Sequence, residues 1–395
     1  MLLSGGDILD PSGKILPKHN VLIEDGKVTA VAPAAEFEGF SGSAYDATGC
    51  TVLPGLIDCH VHLVFGGEPN PRPVLHELSA GGITLKALHN AQVSLRGGIT
   101  AVRDCGGKDY LEFAVRDAIQ RGTYPGPSVR AVGRMICMTG GHGHHIARVA
   151  DGVEEVVKAV REQIHAGCDQ IKIMATGGVM TPGVDPEDAH YSAEEMAAGI
   201  AEGKRFHRKS ASHAQGAQGI LNAVRGGVAS IEHGIFMTDE CIAEMLKRNT
   251  MLVPTLAALN HILANAERGI PAYVVEKASR VAERHRDSIR RFHRAGGRLA
   301  MGTDAGTPYN LHGQNALELE YMVEVGIPAR DAILAATLNA ADLLDLPQQG
   351  RIQAGGEADL LVVQGNPLQD ITRVSRPVHH KAVFKKGRQV TEFAG

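Results

Sequence analysis

The sequence contains no tryptophan, only 4% aromatic residues, and no cysteine pair at CxxC spacing. Its six cysteines, Cys50, Cys59, Cys105, Cys137, Cys168 and Cys241, are scattered and read as reduced core residues, so no disulfide framework is indicated. No apolar run approaches the roughly 20 residues of a membrane helix. The opening MLLSGGDILDPSGK lacks a basic stretch followed by an apolar one, so neither spanning nor secretion is expected and the chain is expected in the cytoplasm. Charge of one sign is not concentrated anywhere: 40 Lys and Arg stand against 44 Asp and Glu, a net charge of -4. That balance argues against nucleic acid or a polybasic membrane contact and favours a small, weakly charged ligand. A GxGxxG turn after the first strand is also missing, which argues against a doubly wound dinucleotide-binding sheet.

What is present is a 395-residue chain, 44% hydrophobic and 21% charged, enough for one large domain with an accessory one. Its 47 glycines sit between periodic apolar segments and suggest tight turns. The first 54 residues read as short strands, with Asp25-Gly26 as a hairpin signal. Strand patterns return after residue 349 in GRIQAGGEADLLVVQG and HHKAVFKKGRQV. Neither terminal segment can bury a core alone, so residues 1–54 and 349–395 are expected to form one composite β-sandwich. Between them, residues 55–348 alternate short apolar strands with amphipathic helices. TVLPGLI, ITAVRDC, PSVRAVG, QIKIMAT, SASHA, ASIEHG, MLVPTL and RLAMGTD supply eight strands, the count of a (β/α)8 TIM barrel in the α/β class. A helix is expected from Pro73 through Gly97, and residues 257–296 hold two more, with their arginines forming a solvated face.

In PGLIDCHVHL, His60 and His62 follow an apolar strand two residues apart, a spacing that places both on one side and lets them share a metal ion. The plainer reading is a half-buried histidine pair. Active sites of this fold lie at the C-terminal strand ends. There the sequence offers Lys172 in strand four, His213 in strand five, His233 in strand six and Asp304 in strand eight. Lys172 could instead pair with Asp169, and Asp304 could cap a helix. Five strand ends bearing metal-type ligands argue for a site.

PGLIDCHVH, QIKIMATGG, SHA, EHG and MGTDAG together resemble the metal-dependent amidohydrolase superfamily from Met1 to the end. GGHGHH at residues 140–145 and ATGGVMTPGVDPEDAHYS resemble its imidazolonepropionase-related group, which contains Xaa-Pro dipeptidases (prolidases). The resemblance implies that His60, His62 and Asp304 bind one divalent metal and His213 and His233 a second, zinc being expected. Lys172 would bridge them as a CO2-derived carbamate, since an ammonium beside two cations would be repelled whereas a carbamate is an anionic ligand. Two such metals activate a bridging hydroxide and polarise an amide carbonyl, while Asp304 serves as base and then acid. His142 is the expected oxyanion donor, the GGHG pattern favouring it over His144 and His145.

Tyr191 or Arg148 is expected at the substrate's carboxylate, and His312 at the rim. His76, His89, His165, His207, His261, His285 and His293 lie on helical segments and are expected to be structural. The expected activity is hydrolysis of an Xaa-Pro or related dipeptide or of an N-acyl amino acid by a homo-oligomer. The alternatives are a carbamate, lactam or other xenobiotic amide, a mononuclear deaminase, and a non-catalytic scaffold. A deaminase would show HxxE after strand five, whereas His213 is followed by AQG. Substrate choice is expected in the loops 64–76, 134–150, 177–191 and 257–275.

Overall fold

The hairpin signal at Asp25-Gly26 marks where the chain first reverses. Both residues take positive φ, 50° and 78°, and join the antiparallel strands His19–Glu24 and Lys27–Pro33. This tight reversal matches the strand twist only with left-handed residues at its centre. The computed structural model describes residues 1–390, so the last five residues of the segment expected at 349–395 lie outside the described residues.

The two ends of the chain meet in one sheet. Leu360–Gln364 pairs antiparallel with Cys50–Pro54 and with His380–Lys385, and Asp7–Leu9 lies on the other side of Cys50–Pro54. A four-stranded sheet formed by residues 2–46 supplies Leu3, Val21, Ile23 and Val28 to the same core as Val52, Leu360, Val362 and Phe384. Neither end could bury these side chains by itself.

Between the ends runs a ring of parallel strands, the α/β TIM-barrel arrangement. Leu56–Val61, Ile99–Asp104 and Ser128–Ala131 pair in order, as do Ile171–Met174, Ser210–Ala214, Ser230–His233 and Met251–Val253. Asp169 N donates to Ala131 O (2.8 Å) and links the two groups. Residues 298–304 close the ring: Ala300 N donates to Leu252 O (3.0 Å) on one side, and Cys59 N donates to Met301 O (2.8 Å) on the other.

Side-chain alternation decides what lies inside this ring. In Ile171–Met174, a Cβ added at Gly199 would meet Ile173, and one at Gly203 would meet Ile171. The isoleucines therefore face the helix Ala193–Arg205, and Lys172 and Met174 face the opposite way, into the barrel mouth. Burying aliphatic side chains of this kind stabilises the layer by about 1.5 to 3 kcal/mol each. The helix starts at a capping box in which Ser192 and Glu195 exchange side-chain-to-backbone bonds, a signal present in the sequence.

Three expectations need correction. TVLPGLI is not one barrel strand: Cys50–Pro54 belongs to the terminal sheet and the barrel strand starts at Leu56. The break falls at Gly55, where a Cβ would lie 2.2 Å from Thr100 Cγ2, so only glycine allows the approach. The helix expected over Pro73–Gly97 is two helices, Pro71–Glu77 and Ala80–Arg96, because Ser79 caps the second by accepting from Gly82 N. Finally, residues 298–304 hold a single isolated bridge, Leu299 with Leu252, rather than a regular strand.

Candidate active site

All six strand-end residues, His60, His62, Lys172, His213, His233 and Asp304, line one cavity of about 650 Å³, including its open mouth. That size suits a compact organic ligand. A His60 ring nitrogen, a His233 ring nitrogen and an Asp304 carboxylate oxygen lie within 4.8 Å of one another. Asp304 Oδ1 is 3.3 Å from His62 Nε2 and 3.5 Å from His60 Nε2. The His213 and His233 ring centroids are 4.5 Å apart.

Each histidine is aimed by a hydrogen bond through its other nitrogen. His60 Nδ1 bonds Glu232 Oε2 (2.8 Å), His62 Nδ1 bonds Gly106 O (2.8 Å), His213 Nε2 bonds Gly177 O (2.9 Å), and His233 Nδ1 bonds Thr255 Oγ1 (2.6 Å). Such bonds fix the ring and leave one nitrogen of each facing the site, the usual construction around a metal. Glu232 is itself held by fully buried Arg103, whose Nη2 lies 2.7 Å from Oε1.

His233 reaches the cavity by breaking the strand alternation. His213 and Glu232 are register partners and share a face, so a regular strand would turn His233 away from it. A left-handed backbone at His233, φ 72°, followed by Gly234 at φ 63°, accompanies its turn into the site. Asp304 likewise sits at φ 61° instead of capping a helix. Strained conformations of this kind gather at functional sites.

Burial holds the pKa values of His60, His142, His213 and His233 well below the ordinary imidazole range. Lys172 adds to this at His60, and His233 and Lys172 add to it at His213. At Asp304 burial alone would favour the neutral acid, but His60, His62 and Lys172 outweigh it and hold the carboxyl down at about 2. His60, His213 and His233 are thus neutral imidazoles beside an ionised carboxylate, the protonation that metal ligation requires. At His62, by contrast, burial is outweighed by the Asp304 carboxylate, which raises the pKa above the ordinary imidazole value. Lys172 is 2% exposed and makes no hydrogen bond or ion pair among the described residues. Asp169, its alternative partner, is taken by Arg116 Nη1 at 3.0 Å.

A family model for the amidohydrolase family matches residues 51–390. The chain belongs to the amidohydrolase family. It is 32% identical to the ochratoxinase of Aspergillus niger over 371 residues, covering 85% of this chain and 75% of that protein. Among solved structures it is similar to a Xaa-Pro dipeptidase with bound methionine in its active site, with TM-score 0.90, 32% identity, and 98% and 99% of the two chains covered. It is equally similar to a prolidase complexed with N-methylphosphonate-L-proline, with TM-score 0.90, 32% identity, and 98% of each chain covered. This amidohydrolase is therefore a hydrolase acting on amide bonds, in a family that is generally metal-dependent.

All four loops expected to govern substrate choice in this amidohydrolase do reach the cavity or the chamber behind it. Phe65 and Arg72, Met135 and His145, and Met180 and Thr181 line the cavity, while Ala258, Leu259 and Ile262 line a second chamber of about 400 Å³. His142 borders both spaces, its ring centroid 4.5 Å from that of His213 and its Nδ1 without a partner among the described residues. His145 also lines the cavity, whereas His144 is exposed.

The substrate contacts expected at Tyr191, Arg148 and His312 do not form this way. The Tyr191 hydroxyl donates to Ala150 O (2.7 Å) in the core, because the residue precedes a helix that packs inward. Arg148 is paired with Glu155 and Glu162. His312 Nε2 bonds Phe65 O (3.0 Å), behind the cavity wall. His285, expected to be merely structural, lines the second chamber and bonds His233 O (3.0 Å). Sequence reasoning missed Arg72, Glu232 and Thr255. Only Glu232, beside His233 in IEHG, carried a local signal, as an acidic residue within an apolar strand.

Proposed function

We propose that this chain is a binuclear metal-dependent hydrolase cleaving the amide bond of a compact substrate with a free carboxylate, an Xaa-Pro or related dipeptide or an N-acyl amino acid. The observation that carries this reading is Lys172, a buried amine without an ionic partner among His60, His213, His233 and Asp304. Combined with CO2 as a carbamate, it becomes an anionic oxygen ligand suited to two cations. His60, His62 and Asp304 would hold one divalent ion and His213 and His233 the other, with Lys172 common to both; zinc suits this donor set. Two such ions, when bound, acidify water and polarise a carbonyl.

The chain's own residues supply the rest. Asp304 takes the proton from the attacking water and delivers it to the departing amine nitrogen. His142 donates a hydrogen bond to the oxygen on which charge develops. The likeness to a Xaa-Pro dipeptidase and a prolidase supports the substrate class. A xenobiotic amide or carbamate is the second reading, favoured by the apolar walls Phe65, Met135, Met174 and Met180 and by the identity to ochratoxinase. We take residues 1–54 and 349–395 as a β-sandwich unit and 55–348 as the catalytic barrel, a division supported by the sheet shared between the two ends.

The test has two parts. Elemental analysis of unchelated active enzyme is expected to give close to two divalent ions per chain, and one or none would overturn the binuclear reading. A screen of free dipeptides, N-acyl amino acids and aryl carbamates is expected to show turnover of the first two classes. Turnover of carbamates alone would favour the second reading.

A further inference from the structure

The mouth of the cavity carries an unbalanced positive charge. Arg72, half-buried in the helix Pro71–Glu77, lines the cavity and forms no ion pair among the described residues. Its Nη2 donates to Met180 O and Thr181 Oγ1, both at 3.2 Å. Its Nε and Nη1 make no hydrogen bond among the described residues. His145 lines the same cavity, and both of its ring nitrogens are buried without a partner among the described residues.

Arg72 and His145 are near enough to repel: after burial, Arg72 is the main cause that holds the His145 pKa down at about 4, with His144 and His76 adding to it. Among the described residues the one carboxylate lining the cavity is Asp304, already flanked by His60 and His62. A guanidinium with unused donors in a partly dehydrated cavity, beside an imidazole with unused nitrogens, is incomplete without an anion. The planar fork of arginine matches a carboxylate, to which it can give two parallel hydrogen bonds. Pro71 and Ile146 supply apolar wall beside it.

We infer that Arg72 and His145 form the subsite for the substrate's free carboxylate, and that Arg72 makes the enzyme select acids over their neutral amides. The inference rests on the proposed amide-hydrolase reading and deepens it. Arg72 is a specificity residue here and touches no reacting atom.

The test compares wild type with Arg72→Gln, which keeps a donor for Met180 O without the charge, and Arg72→Lys, which keeps the charge without the fork. Calorimetry on purified metal-loaded enzyme measures binding of 3-phenylpropanoate and of 3-phenylpropanamide. Hydrolysis of N-acetyl-L-phenylalanine and of its C-terminal amide is followed by acetate release. Wild type is expected to bind the acid about 10- to 100-fold more tightly than the amide, the range of a charge-assisted pair. Arg72→Gln should bring the two within about threefold by raising the KM of the acid far more than that of the amide, and Arg72→Lys should fall between.

Survival of the acid preference in Arg72→Gln, equal weakening of acid and amide, or no acid preference in wild type would each overturn the subsite. If neither acetyl compound is cleaved while acid binding still depends on Arg72, the N-acyl amino acid part of the proposed function falls and the subsite stands. If both are cleaved and the preference ignores Arg72, the subsite falls and the hydrolytic reading stands.

Discussion

Glu232 Oε2 lies 2.8 Å from His60 Nδ1, and the other oxygen of the same carboxylate lies 2.7 Å from Arg103 Nη2. All three side chains are at least 98% buried, so the carboxylate both neutralises Arg103 and fixes the His60 ring in one orientation. Glu232→Gln is expected to lower metal affinity about 10- to 100-fold, as loss of a residue orienting a metal-binding histidine does. It should also lower thermal stability, because Arg103 keeps its buried charge without an anion. Metal retained against graded chelator, with thermal melts of the same samples, checks both.

Lys172→Ala should lose bound metal and activity while retaining its circular dichroism spectrum. Added short carboxylic acids should partly restore both by supplying the missing oxygen ligand. Wild-type turnover in Lys172→Ala would remove the bridging role.

Asp304→Asn is expected to lose at least about 10³-fold in kcat, since it removes the proton carrier and a ligand together. His142→Asn should lose about 10² to 10³-fold, the effect of one oxyanion donor. Single-turnover kinetics at matched metal content separate these losses from loss of metal. An Asp304→Asn enzyme within tenfold of wild type would exclude Asp304 as the base.

Tyr191→Phe should leave kcat/KM within about threefold of wild type, because the hydroxyl serves Ala150 O rather than the cavity. Stability should fall by about 1 to 3 kcal/mol, the cost of leaving a buried carbonyl unpaired. Urea unfolding measures the second effect, and a large loss of activity at unchanged stability would return Tyr191 to the active site.

Glu112 is fully buried, and neither carboxylate oxygen has a partner among the described residues. Burial, with Asp104 nearby, pushes its pKa well above the ordinary glutamate value of 4.5. The folded state therefore holds this proton more tightly than the unfolded chain does. The resulting stability is fully present below pH 4.5 and is lost as pH rises through the folded pKa. Glu112→Gln does not titrate, so its melting temperature relative to wild type should increase between pH 5 and pH 8. A pH-independent difference would show that Glu112 is ionised in the fold.

The hairpin at Asp25-Gly26 and the alternation of short strands with amphipathic helices over residues 55–348 were legible because local chemistry dictates them. Turn residues need particular φ values, and caps need particular side chains. The strand-end residues His60, His62, Lys172, His213, His233 and Asp304 were legible for a related reason. Residues at the ends of barrel strands must converge on one mouth, so counting strands was enough to gather them.

Other features depended on tertiary contact. TVLPGLI reads as one apolar run, but its division at Gly55 is set by Thr100, a residue distant in sequence. His233 enters the cavity through a left-handed backbone that alternation alone would not predict. Tyr191 and Arg148 were plausible carboxylate partners by type, yet each is satisfied by a neighbour in the fold, Ala150 for one and Glu155 and Glu162 for the other. Arg72 had no distinguishing pattern in the sequence and gains its meaning from lining the cavity without an ion pair among the described residues. The sequence by itself determined the element order and the set of side chains available at the strand ends, because period and local propensity are short-range properties. Tertiary structure decided which polar groups were already satisfied and which remained free for a ligand, because hydrogen-bond satisfaction depends on neighbours brought together only by folding.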